Sequence, residues 1–101
     1  MIEPWPFLDP RNVAVFTTQS VLENRAPILM VTHDEDDGSW QFLDGTVPKT
    51  EDGRIMGLEE IVSKDHSILE LADLPEGWMA YRQTPLSPWK RMKHGSSNYE
   101  E

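Results

Sequence analysis

The residues whose types and spacing most suggest chemistry stand side by side: His33 is followed by Asp34, Glu35, Asp36, Asp37 and Gly38. An imidazole beside carboxylates is the arrangement of a general base held by an acid, so His33 with Asp34 or Asp36 is the pairing a small enzyme would use. No activated nucleophile accompanies it, because Ser20, Ser39 and Ser63 lack the glycine-flanked elbow that presents a reactive serine. The same carboxylates invite calcium, which a twelve-residue loop holds with oxygens at alternate positions and a glycine at the sixth. The register fails: starting at Asp34 puts Gly38 where the third carboxylate belongs, and starting at His33 puts an imidazole at the first ligand position. A solvated hairpin turn is the simpler reading of DEDDG. His33, His66 and His94 share no helix or strand face, and the chain has no cysteine, no G-x-G-x-x-G and no P-loop. Neither a metal nor a cofactor is expected, and catalysis is not the preferred reading.

The elements around the turn follow from hydrophobic spacing. VAVFTT, residues 13–18, is β-branched and aromatic and reads as a strand with Val13, Val15 and Thr17 on one face and Ala14 and Phe16 on the other. Hydroxyl residues then open a short helical stretch ending near Asn24, and Pro27 stops it. ILMVTH, from residue 28, is apolar without alternation, as in a central strand covered on both faces. With SWQFLD beyond the acidic turn it forms a hairpin. The turn-rich DGTVPKTEDGR leads to a helix over residues 57–64 carrying Leu58, Ile61 and Val62 on one face. Ser67 and Glu70 have capping-box spacing for a second helical turn, and WMAYRQ alternates as a last strand, with Trp78, Ala80 and Arg82 on one side. The expectation is a single α+β domain over residues 1–101, with a small, mostly antiparallel sheet of about four strands and two or three short helices. Its ordered core spans about residues 11–90. The proline-rich first ten residues and the polar HGSSNYEE are expected to be loosely held.

Charge is unevenly placed along the chain. The net charge is −9, yet residues 34–76 alone hold thirteen acidic and three basic side chains, and the rest sums to +1. Such a chain repels nucleic acid and anionic membranes. Without a secretory leader pattern or an apolar run near the ~20 residues that span a bilayer, a cytoplasmic protein is expected. Four of the nine basic residues, Arg82, Lys90, Arg91 and Lys93, cluster beside Trp89. Trp40 and Trp78 suit the core, and Trp89 suits an interface anchor rimmed by cations.

The stretch VAVFTTQSVLENRAPILMVTHDEDDGSWQFLDG resembles a family of small, mostly bacterial domains of unknown function grouped with immunity proteins of toxin systems. Asp37, Gly38, Trp40, Phe42 and Gly45 carry the likeness, an acidic turn followed by a W-x-F-x-x-G strand. LADLPEGWMAYRQTPLSPW is similar to the C-terminal part of related proteins, so the resemblance covers about residues 12–90. It implies no catalytic residues. The resulting expectation is a non-enzymatic, immunity-like interaction domain that meets a basic protein, such as a toxin, through Asp34, Glu35, Asp36, Asp37, Glu51, Asp52 and Trp89. The alternatives are a small enzyme built on His33 and a homodimeric structural or regulatory protein.

Overall fold

A computed structural model describes residues 2–93. Six strands, β1 (Ala14–Thr18), β2 (Met30–His33), β3 (Trp40–Leu43), β4 (Gly53–Gly57), β5 (Trp78–Tyr81) and β6 (Lys90–Lys93), form one sheet in the order β4-β1-β3-β2-β5-β6. β1 and β3 run parallel; every other neighbouring pair is antiparallel. The fold is therefore α+β and mostly antiparallel, with two edge strands added to the four expected. β4 lies partly in the stretch read as turn, and β6 in the basic segment past Pro88. Each pairs along one side only, so neither needs the dense apolar pattern of an interior strand.

Two short α-helices, α1 (Gln19–Leu22) and α2 (Leu58–Lys64), and 3-10 turns at Thr50–Asp52 and His66–Leu71 complete the chain. Thr18 caps α1, its Oγ1 accepting from the Val21 N–H at 3.4 Å. α2 opens where the Gly57 N–H donates to Glu60 Oε1 at 2.8 Å, and Lys64 lies in its last turn, complementing the helix dipole. The second helical turn is capped by Asp65, which accepts from the Ser67 N–H at 3.0 Å; the Ser67–Glu70 box is not its start.

Strand alternation divides the sheet into two unlike faces. Val15, Val31, Trp40, Phe42 and Ala80 point toward α2 and the following 3-10 turn, where Leu58, Ile61, Val62, Ile68 and Leu71 close a buried core. The other face carries Phe16, Ile55, Met79 and Met92, none of which joins that core. β2 is interior to the sheet, as expected, but helices cover it on one side only.

Residues 2–10, expected to hang loosely, pack onto the core. Phe7 is buried with its ring edge-on to Trp40 at 5.5 Å, and Trp5 lies beside it. Arg11 holds this segment down by donating to the Ile2 carbonyl and to Glu59, each at 2.7 Å. The polar C-terminal residues 94–101, His94 among them, lie outside the described residues.

The two faces give a paired expectation for urea unfolding. Phe42→Ala empties a fully buried site and should cost about 3–5 kcal/mol. Phe16→Ala, at a position 45% exposed, should cost less than about 1 kcal/mol. Equal losses would contradict the one-sided core.

Candidate functional site

The acidic turn joins β2 to β3 and is built by short-range hydrogen bonds. The Asp34 N–H donates to the Ser39 carbonyl at 2.8 Å and the Gly38 N–H to the Asp34 carbonyl at 3.0 Å. Asp37 Oδ1 accepts the Ser39 N–H at 3.0 Å, and Asp34 Oδ2 accepts from Gln41 Nε2 at 3.1 Å and from Ser39 Oγ at 3.3 Å. Gly38 is needed twice over: its φ is +71°, and a Cβ there would come within 2.8 Å of Glu76 Oε2.

That contact shows how a second segment reaches the turn. Pairing of β2 with β5 carries the lead-in to β5 alongside, and the Gly77 N–H donates to the His33 carbonyl at 2.7 Å. Glu35 lies against Gly77, where an added Cβ would meet its Oε1 at 3.4 Å. Asp34, Glu35, Asp36 and Asp37 on the turn and Glu76 ahead of β5 thus lie at one end of the sheet, on two stretches of chain. Among the described residues none of them is ion-paired; the internal ion pairs use Glu3, Glu23, Glu59, Asp65 and Asp73 instead. Glu76 was not singled out from sequence, since its approach is set by strand pairing.

The hydrogen bond from the Ser39 backbone N–H holds the Asp37 carboxyl below its ordinary value.

His33 does not join these acids. Its Nδ1 donates to the Leu74 carbonyl at 2.7 Å, and its ring stacks on Trp40 with centroids 3.8 Å apart. The Asp34 carboxylate is occupied by Gln41 and Ser39, so the His33–Asp34 pairing of a general base is not formed. Among the described residues no three His, Asp or Glu side chains are grouped as metal ligands, and no helix is long and apolar enough to cross a membrane.

The remaining sequence candidates lie elsewhere. Gly53 pairs with Thr18 at the C-terminal end of β1, whereas His33 pairs with Trp40 at the N-terminal end of β3, which is parallel to β1. Glu51 and Asp52, just before Gly53, are therefore at the opposite end of the sheet from residues 34–37. Trp89 is also remote from the turn. Its ring covers the guanidinium of Arg82 at 4.0 Å and its Nε1 donates to Ser67 Oγ at 3.3 Å, so the cation it serves is Arg82, not Lys90 or Arg91.

Arg82 is the second polar centre of the molecule. Its side chain is 1% exposed and forms an ion pair with Asp65, which is 24% exposed. Nε and Nη2 donate to the Ile28 carbonyl at 3.1 and 2.8 Å, and Nη1 donates to Ser67 Oγ at 2.8 Å and to the Pro85 carbonyl at 3.1 Å. A cleft of about 540 Å³ opens beside it between Val21, Pro27, Lys64, Asp65 and Pro85. The charged groups at the cleft are used internally: Lys64 Nζ donates to the Leu22 carbonyl and to Asn24 Oδ1, each at 3.0 Å, and Arg25 pairs with Glu23. This is packing chemistry.

No protein-family model, no curated protein and no solved structure matches the chain.

A carboxyl ¹³C titration by NMR checks the turn. Asp37 should titrate below the 3.8 of an ordinary aspartate. Because the folded form holds the Asp37 proton less tightly, that residue's contribution to stability is present above the unfolded-state pKa and is lost as pH falls through the lower folded one. A value at or above 3.8 would mean the Ser39 hydrogen bond does not persist in solution.

Proposed function

We propose that this chain is a non-enzymatic interaction domain of a bacterial cytosol, immunity-like in its mode of action, that engages a basic protein surface through Asp34, Glu35, Asp36, Asp37 and Glu76. One observation carries the reading: five carboxylates from two segments are held at one end of the sheet and, among the described residues, no internal cation pairs with them. Most of their charge is left to solvent, where it steers a cationic partner over roughly a Debye length, about 8–10 Å at physiological salt. Hydrogen bonds to Asp34 and Asp37 fix part of the cluster before any partner arrives, which lowers the entropy lost on binding. A toxin with a basic active site is the kind of partner this suits. Glu51, Asp52 and Trp89 are left out of the proposed surface, because the fold sets them at the far end of the strands.

The test is capture on the immobilised chain at low and high salt, together with co-expression with the products of genes adjacent to its own. A basic protein should be retained at low salt and released as salt rises. The triple replacement Asp36→Asn, Asp37→Asn, Glu76→Gln should lower its association rate about tenfold or more, the range of electrostatic steering. Glu51→Gln with Asp52→Asn should leave it unchanged. Failure to retain any basic protein, or retention indifferent to the turn, would sink the proposal.

A further inference from the structure

The sheet face turned away from the helices carries a row that reads alike from either edge. At one level across all six strands, register neighbours are Ile55, Phe16, Gln41, Thr32, Met79 and Met92. The order is apolar, apolar, polar, polar, apolar, apolar. One step along, Leu43, Met30, Tyr81 and Lys90 form a second row. Ile55 is 65% and Met92 46% exposed, so the apolar ends of the first row are open to water. A sheet face this apolar is normally covered, and a contiguous exposed patch of this kind marks an interaction surface.

We propose that the face packs against the same face of a second copy of this chain, about a two-fold axis parallel to the strands. That rotation lays β4 over β6 of the second copy, β1 over β5, and β3 over β2, with levels along the strands preserved. Ile55 then meets Met92 of the second copy, Phe16 meets its Met79, and the polar pair Gln41 and Thr32 meets itself. Thr32 and Leu43 are already shielded by their own neighbours, so the new contact falls on the flanks. One charged contact fits this axis. Lys90, paired with Tyr81 and on the open face with Met92, comes over Gly53 of the second copy, beside its Glu51 and Asp52, and symmetry repeats the contact. A two-fold perpendicular to the strands would instead stack β6 on itself and leave Lys90 away from Glu51 and Asp52 of the second copy.

The area sets the strength. Six strands at about 4.8 Å spacing make a face about 24 Å across and about 15 Å along the strands. Even with side-chain relief this falls short of the roughly 800 Å² per partner of a standard interface, so the dimer is reversible. The same axis brings both acidic turns to one pole, where their repulsion also limits affinity. In return it doubles the acidic target.

Sedimentation equilibrium over a wide concentration range tests this. A monomer–dimer equilibrium is expected, abolished by Phe16→Glu and, independently, by the edge replacement Ile55→Glu, with the circular dichroism of the monomer unchanged. Lys90→Glu should weaken the dimer about fivefold to tenfold, as two exposed ion pairs become repulsive contacts. Adding Glu51→Lys and Asp52→Lys to Lys90→Glu should restore it. A monomer at every concentration, a dimer indifferent to both Phe16→Glu and Ile55→Glu, or a charge swap that fails to restore association would overturn the proposal.

Discussion

The arrangement depends on one buried cation. Arg82 sits on the inward side of β5 with almost no solvent contact, and its guanidinium meets the backbone before β2, the cap of the 3-10 turn after α2, and the loop after β5. These segments come from distant parts of the chain, and each brings polar groups that would be orphaned at the edge of the core. A planar fork with five donors can satisfy them together, which a lysine cannot do. The Asp65 carboxylate balances the charge and Trp89 closes the outer face of the guanidinium. In a chain without cysteine, a hydrogen-bonded ion pair here does the tethering that a disulfide does elsewhere.

With that end fastened, the rest of the sheet separates into two poles and two faces. At the far pole the β2–β3 turn and the lead-in to β5 close on each other through Gly38 and Gly77, both at positive φ, and leave their carboxylates outward. The acidic residues counted together along residues 34–76 are divided by the fold: some are spent in ion pairs with Arg11, Arg82 and Arg91, others stand at opposite ends of the strands. Among the described residues, the group around the turn is the largest set of neighbouring carboxylates in no ion pair. The helices, all short, cover one face, and the apolar side chains of the other are left over from the core.

Much of this was legible in sequence where one principle acts alone. The alternation of VAVFTT assigned Val15 and Phe16 to opposite faces, and their burial agrees. ILMVTH was rightly central, and the apolar face of residues 57–64 rightly helical. The alternation in WMAYRQ put Arg82 on the same side as Ala80, and the structure buries both, although nothing in the sequence showed which side faces the core. What was missed involves partners distant in the chain. GRIMG and KRMK are edge strands whose pairing is supplied by a neighbour rather than by their own pattern. Phe7 and Trp5 read as a proline-stiffened tail because nothing local showed the core surface they cover. Glu76 reaches the acidic turn only because β5 pairs with β2, and the distance between that turn and Glu51 is invisible to a count of charges.

The most direct test of the account is the urea unfolding free energy of Arg82→Met. If the guanidinium is the tie described, its removal strands the Asp65 carboxylate and several carbonyls, and the loss should be about 3 kcal/mol or more. A loss below about 1 kcal/mol, the level of an exposed ion pair, would contradict it.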